Sequence, residues 1–181
     1  FAKPLGVIGS VMPSTNPTGT VAGNSMEAWK ARNSIIIAPH PMTAHATYHM
    51  CECIREELKS IGAPGDLLLC ISPEMCSLEA TNEMLMACDA NIGTGGPGMV
   101  KAVYSCGKPG FGVGQGNCQV LLDEDFPAFD MACMTIVGNR CFQNGVPCTS
   151  EQTVFVPAAR EEEFLKMMDA GGAYLITDPD E

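Results

Sequence analysis

Short apolar runs alternate with helical stretches along the chain, and a Gly or Pro marks each junction. Runs that are apolar throughout predict strands covered on both faces of a sheet, because a half-exposed strand would alternate with polar residues. The predicted strands are 5–12, 33–38, 67–71, 90–92, 111–113, 120–122, 153–156 and 173–176. The predicted helices are 18–32, 43–61, one that starts at 72–74, one that follows 93–98 and continues through 106, then 126–142 and 159–168.

This order of elements predicts an α/β fold. Alternating strands and helices form parallel βαβ units with right-handed crossovers. We expect residues 1–125 to form a doubly wound, mostly parallel sheet, a Rossmann-like nucleotide-binding domain. Residues 126–181 would form the start of a second α/β domain that stops early. In such sheets, ligands bind at the carboxyl ends of the strands.

The charge of the chain excludes two classes of partner. Ten Lys and Arg stand against 21 Asp and Glu, a net charge of −11. Binding to a nucleic-acid backbone or an anionic membrane needs clustered cations, so we expect neither partner. The longest apolar runs are also far shorter than a membrane span of roughly 20 residues. Small anionic ligands remain compatible with the sequence, because backbone N–H groups at a helix start can bind phosphate.

The ten cysteines form no paired CxxC motifs. We interpret them as reduced thiols that act as small hydrophobes, as in a cytosolic protein. Cys148 differs because a Gly/Pro turn precedes it and Thr149, Ser150 and Glu151 follow. A thiol presented on such a turn is a candidate nucleophile. Packing in a core is the alternative.

Two glycine clusters could bring a backbone close to a ligand. The stretch 93–98 matches G-x-G-x-x-G between a predicted strand and a predicted helix, a pattern found at dinucleotide phosphates. Its alternative is a turn that allows close helix–strand packing. The second cluster, Gly110, Gly112, Gly114 and Gly116, fits either a ligand approach or a simple bend.

The histidines do not predict a metal site. His45 and His49 lie four residues apart and share a helical face, but zinc needs further ligands. We expect Cys51 and Cys53 to point to other faces. The histidines are therefore interpreted as solvated or capping residues, with no metal bound.

Taken together, several segments resemble the coenzyme-A-acylating branch of the aldehyde dehydrogenase superfamily. They are 4–8, 15–18, 32–36, 39–41, 94–102, 112–117 and the specific stretch F-Q-N-G-V-P-C-T-S-E-Q at 142–152. The resemblance covers nearly the whole chain. It is closest to acetaldehyde and succinate-semialdehyde enzymes that form acyl-CoA.

The resemblance implies roles for individual residues. Cys148 would attack the aldehyde and become a thioester after hydride transfer to a nicotinamide. Asn16 would hold the oxyanion, with Thr15 as the alternative. The residues implied in cofactor binding are His40 and Pro41 near the adenosine ribose, then Thr94, Gly95, Gly96, Gly98, Val113 and Gly114. NAD is preferred over NADP, because no Arg or Lys adjoins His40 to bind a 2′-phosphate.

The resemblance also implies how the thioester is released. Hydrolytic members of the superfamily carry E-L-G-G-K, whose glutamate activates water. The corresponding stretch here is V-G-Q-G-N at 113–117, with an aliphatic residue at the glutamate position. Water attacks a thioester poorly without a positioned base. Coenzyme A would therefore accept the acyl group.

The chain departs from the family in three respects. Pro147 precedes the cysteine and lacks a backbone donor, and Ala38 stands where many hydrolytic relatives carry lysine. The family also extends beyond this chain at both ends, so we expect a partial chain with little turnover alone. The whole protein would be a cytoplasmic homo-oligomer, in some settings inside a bacterial microcompartment, that acts on a small aldehyde. The alternatives are a nucleotide-binding module without redox chemistry and a structural subunit.

Overall fold

The computed structural model describes residues 2–178, with seven strands and six α-helices. The strands are β1 Val7–Val11, β2 Ser34–Ala38, β3 Leu68–Cys70, β4 Ala90–Thr94, β5 Gly110–Val113, β6 Cys118–Leu121 and β7 Glu151–Phe155. The helices are α1 Pro17–Lys30, α2 Ala44–Ser60, α3 Leu78–Ala87, α4 Pro97–Ser105, α5 Phe129–Cys141 and α6 Glu161–Ala170. The chain divides into two compact units, 1–115 and 116–181.

The first unit contains a five-stranded sheet in the order β3-β2-β1-β4-β5, in which every neighbouring pair is parallel. The predicted α/β class with a mostly parallel sheet is confirmed. Val11, at the end of β1, pairs with Ala38 on one side and Gly93 on the other. The strand order reverses between β1 and β4, and ligands of doubly wound sheets bind at such a switch point.

The core of this unit comes from the apolar runs that predicted the strands. Ile8, Ile35, Ile37 and Leu68 are buried together in the sheet, and Val21 packs on them from α1. Full burial of one aliphatic side chain is worth about 1.5–3 kcal/mol. These apolar runs therefore form the buried centre of the sheet and hold the strands whose ends border it.

The second unit has a two-stranded parallel sheet, β6-β7, with α5 and α6 forming its core. Phe129 of α5 is buried, and the guanidinium of Arg160 lies 3.7 Å from the centre of its ring. Because β6 pairs with β7, the compact unit begins at Gly116, ten residues before the predicted domain start at 126. The division into a domain at 1–125 and another at 126–181 stays a prediction.

Two predicted elements are wrong. Ser72 starts only a single 3₁₀ turn, Pro73–Met75, and α3 begins later because the Ser77 hydroxyl accepts a hydrogen bond from the Ala80 N–H. The apolar run 173–176 is irregular rather than a strand. Between residues 2 and 178, no helix has the length and apolar character needed to cross a bilayer.

Candidate active site

A cavity of about 370 Å³ lies in the first unit at the carboxyl ends of β1, β2 and β4. Five predicted cofactor residues line it, namely His40, Pro41, Thr94, Gly95 and Gly96. The sequence analysis missed the other lining residues, which are Val11, Met12, Pro39, Cys76, Ser77, Leu78, Thr81 and Met99. The correct start of α3 would have pointed to Ser77 and Thr81.

The remaining predicted cofactor residues lie at the same edge of the sheet but do not line the cavity. Gly98 is in the first turn of α4. Val113 pairs with Thr94, and its carbonyl accepts a hydrogen bond from the Gly95 N–H at 3.0 Å. Gly114 follows directly. The binding roles of all eight residues stay predictions.

The two glycine clusters divide into packing glycines and open glycines. A Cβ at Gly93 or Gly110 would collide with Val103, and one at Gly112 would collide with Val100 and Tyr104. The packing alternative therefore holds for these three glycines. Gly96 and Gly98 have no heavy atom within 4 Å of an added Cβ. Helix packing does not require glycine there, and both residues lie at the start of α4.

The cavity offers backbone dipoles and neutral side chains rather than cations. No Lys, Arg, Asp or Glu is among its described lining residues. The N-terminus of α4, with Pro97 in its first turn, carries a partial positive charge from unpaired N–H groups. His40 Nδ1 accepts the Met42 N–H at 3.2 Å, so its Nε2 remains as the outward polar atom. These features suit a neutral or phosphate-bearing ligand that is bound largely by backbone.

Asn16 belongs to the loop between β1 and α1. Its carbonyl accepts hydrogen bonds from the N–H and hydroxyl of Thr20, and its exposed side-chain amide makes no capping bond. The amide lies over Gly19, where a Cβ would meet Asn16 Oδ1 at 2.7 Å. An oxyanion-binding role for Asn16 stays a prediction.

Cys148 is exposed on a turn in the second unit. The Ser150 N–H donates to the Pro147 carbonyl at 3.0 Å and closes the turn around the thiol. Upstream, Gln143 and Asn144 have positive φ angles of 47° and 56°, conformations that few non-glycine residues adopt. A cleft of about 210 Å³ adjoins the turn and is lined by Asn139, Phe142, Pro147, Thr149 and Ser150.

Several other cysteines are poor nucleophiles. Burial raises the pKa of the Cys88 and Cys133 thiols. A hydrogen bond to Cys70, followed by burial, raises the pKa of Cys51. Cys53 and Cys141 are exposed like Cys148, however. Exposure by itself therefore does not single out Cys148, and the sequence analysis missed these two competitors.

The last two residues of the V-G-Q-G-N stretch, Gly116 and Asn117, belong to the second unit and lie near the turn that carries Cys148. The Gly116 carbonyl accepts Gln152 Nε2 at 3.3 Å, and Asn117 Oδ1 accepts the Thr153 hydroxyl at 3.1 Å. A Cβ on Gly116 would lie 3.8 Å from the Cys148 carbonyl oxygen. Segment 116–117 therefore runs beside the backbone of Cys148 and brings no carboxylate there.

One expectation about the histidines is wrong. Cys53 shares a face of α2 with His49, and its Sγ lies 3.7 Å from His49 Nε2, because the two residues are four positions apart. Cys51 points into the core as expected. Among the described residues, no group of three or more His, Cys, Asp or Glu side chains could hold a metal ion.

The first unit thus has a parallel sheet with a glycine-lined cavity at its switch point, and the second unit has an exposed cysteine on a turn. The sequence matches the model of the aldehyde dehydrogenase family over residues 1–179, and the chain belongs to that family. Its similarity is to the acylating members.

Three similar proteins illustrate this. The acetylating succinate-semialdehyde dehydrogenase of Clostridium kluyveri is 40% identical over 177 residues, which cover 98% of this chain and 38% of that protein. Rhodopseudomonas palustris propionaldehyde dehydrogenase with bound propionyl-CoA superposes with a TM-score of 0.89 at 35% identity, over 99% of this chain and 39% of that one. An acetylating aldehyde dehydrogenase from Geobacillus thermoglucosidasius gives 0.91 at 37% identity, over 98% and 39%. The chain thus spans about two fifths of these relatives.

Proposed function

We propose that the whole protein carrying this chain oxidises a small aldehyde to an acyl-CoA, with NAD as oxidant and Cys148 as nucleophile. The observation that carries the proposal is the stretch N-G-V-P-C-T-S-E-Q, whose cysteine, Cys148, is exposed on a turn. A second structure of the Rhodopseudomonas palustris enzyme contains CoA and an acylated cysteine, which supports a thioester route in a relative.

The chemistry at Cys148 has two halves. Its thiolate adds to the aldehyde carbonyl, and the resulting thiohemiacetal loses a hydride and a proton to become a thioester. The thiol of coenzyme A then attacks the thioester carbonyl and displaces the Cys148 sulfur. Aldehyde, NAD and CoA are thereby converted to acyl-CoA, NADH and a proton. NAD supplies a two-electron acceptor for the hydride.

The cavity of the first unit fits a dinucleotide on structural grounds. Gly96 and Gly98 leave open space at the start of α4, where backbone N–H groups can donate to a pyrophosphate. His40 and Pro41 follow β2, the strand whose end approaches the adenosine ribose in doubly wound folds. The absence of a lining cation supports NAD over NADP.

Coenzyme A rather than water is proposed as the acceptor, because no carboxylate occurs in segment 113–117. The test is to incubate the whole protein with NAD and a panel of small aldehydes, with and without CoA, and to quantify acyl-CoA, free acid and NADH. We expect NADH and acyl-CoA in equal amounts and little free acid. Dominant acid formation without CoA would contradict the proposal.

Alkylation tests the role of Cys148 against a binding module in which this exposed cysteine has no chemical role. Iodoacetamide should modify Cys148 ahead of the other nine cysteines, and prior incubation with aldehyde and NAD should protect it alone. Cys53 and Cys141 are built-in controls because they are equally exposed. Equal labelling of all three residues, without protection, would favour the binding module.

Location and assembly are part of the same proposal. The ten cysteines are free thiols in the structure, as suits a reducing cytoplasm. A homologous propionaldehyde dehydrogenase belongs to a bacterial microcompartment of Clostridium phytofermentans, which makes such a compartment one setting to test. We propose a homo-oligomer for the whole protein, to be measured by light scattering.

A further inference from the structure

A side-chain hydrogen bond closes the loop that carries Cys148. Asn139 lies in the last turns of α5, and Glu151 is the first residue of β7. Asn139 Nδ2 donates to Glu151 Oε1 at 2.9 Å, across a separation of twelve residues. Cys148 lies within the segment between them. The bond therefore joins the two ends of the loop that presents the thiol.

Inside the loop, few interactions hold the thiol in place. Phe142, Gln143, Asn144 and Cys148 are exposed. The bond from Arg140 to the Gly145 carbonyl is long, at 3.4 Å, and the turn bond from Ser150 to Pro147 is local. The position of Cys148 relative to α5 and β7 consequently depends on segment 116–117 beside its backbone, on the buried Ser150 and on how the ends of the loop are fixed.

The surroundings of the second carboxylate oxygen of Glu151 indicate that fold stability alone does not explain why a glutamate occupies this position. Oε2 is buried and has no hydrogen-bond partner among the described residues. A buried charged oxygen without a partner destabilises a fold, and a glutamine of the same shape would avoid the charge. Oε1 nevertheless accepts a hydrogen bond of ordinary length, 2.9 Å, from Asn139. The contribution of Glu151 is therefore this bond across the loop.

We propose that Asn139 and Glu151 form a clamp that positions the Cys148 thiol for acyl transfer, with Glu151 as a positioning residue that does not touch substrate. This inference rests on the proposed function for its kinetic consequence. A displacement of about 1 Å at a reacting group can lower a rate by roughly 10²-fold. Loss of the clamp should therefore lower kcat and leave the KM values for aldehyde and NAD nearly unchanged.

Reversing the hydrogen bond provides the decisive test in the whole protein. Asn139→Asp removes the donor and places two carboxylates together, so we expect kcat to fall roughly 10–100-fold. Glu151→Gln keeps an acceptor for Asn139 and should retain near-normal kcat. The double variant Asn139→Asp/Glu151→Gln restores a bond with its direction reversed and should recover most of kcat. Gln119→Glu, an added carboxylate on exposed β6, is the matched control.

Further readouts separate this proposal from protein stability and from the proposed function. Hydrogen exchange of amides 142–150 should rise in Asn139→Asp and return in the double variant, even if no acyl-CoA is formed by any variant. If Asn139→Asp fails to fold, Asn139→Ala tests the same loss. The clamp would be overturned if a folded Asn139→Asp or Asn139→Ala variant kept its kcat and its hydrogen exchange unchanged. It would also be overturned if the folded double variant did not recover kcat.

Discussion

The two units present their functional groups by different means. In the first unit, the cavity is built from strand ends, open glycines and a helix start on a five-stranded sheet. In the second unit, one side chain lies on an exposed loop beside a two-stranded sheet. A two-stranded sheet has little stability of its own, whereas several parallel strands with helices form a closed core. Under the proposed function, binding relies on backbone geometry in the first unit, and chemistry relies on Cys148 and the residues that support its loop.

The largest expected effect comes from removing the thiol. Cys148→Ser in the whole protein should lower acyl-CoA formation by at least roughly 10³-fold, because a hydroxyl is a far weaker nucleophile than a thiolate. NAD binding, measured by fluorescence titration, should stay unchanged because every lining residue of the proposed cofactor cavity belongs to the first unit. Cys141→Ser is the control and should keep full activity. Substantial acyl-CoA formation by the Cys148 variant would refute the nucleophile assignment.

Core truncations should distinguish the stability of the units. Phe129→Ala removes a buried ring and its contact with Arg160, and we expect a loss of about 3–5 kcal/mol in the free energy of unfolding. Leu68→Ala in the first unit should cost about 2–5 kcal/mol. Hydrogen exchange would show where each loss falls. Phe129→Ala should raise exchange in 116–178 and spare β1 and β2, and uniform exchange in both variants would contradict two separately stable units.

A matched pair of glycine variants should separate packing from ligand approach. Gly93→Ala forces a methyl group against Val103 and should destabilise the first unit by about 1–3 kcal/mol. Gly96 has a negative φ and open space around an added Cβ, so Gly96→Ala should leave the melting temperature unchanged. Its NAD affinity should fall, because the methyl group occupies the approach to the start of α4. Calorimetry and NAD titration measure both. The opposite pattern would place the pyrophosphate elsewhere.

The smallest expected effect concerns an ion pair in the second unit. A hydrogen bond from Arg160 lowers the pKa of Glu163, with the two charged groups 2.9 Å apart. A lowered pKa means that the pair stabilises the fold above the unfolded pKa of Glu163 and loses this contribution as pH falls through the folded value. Glu163→Gln should therefore lower the melting temperature slightly at pH 7 and have a smaller effect near pH 3. An equal effect at both values would exclude the charge as its cause.

Local sequence patterns predicted most of the first unit. Continuous apolar runs at Ile8, Ile35 and Leu68 placed three of its strands to within two residues. The start of α3 was predicted incorrectly because Ser72-Pro73-Glu74 has the residue types that favour a helix N-terminus, although it forms only a 3₁₀ turn. Ser77 rather than Ser72 caps α3, because a helix that starts there buries Thr81, Met84 and Leu85. A capping residue in the sequence therefore predicts the start of a helix only when the buried face of that helix is considered as well.

The sequence by itself determined the parallel α/β class, the residues at the ends of β2 and β4, and the turn that carries Cys148. These follow from short-range rules of apolar runs, glycine turns and residue chemistry. Only the tertiary structure decided that β6 pairs with β7, that Gly93 is needed for packing while Gly96 is open, and that Asn139 reaches Glu151. Each of these depends on contacts between residues distant in the chain, and no local periodicity specifies which distant groups meet.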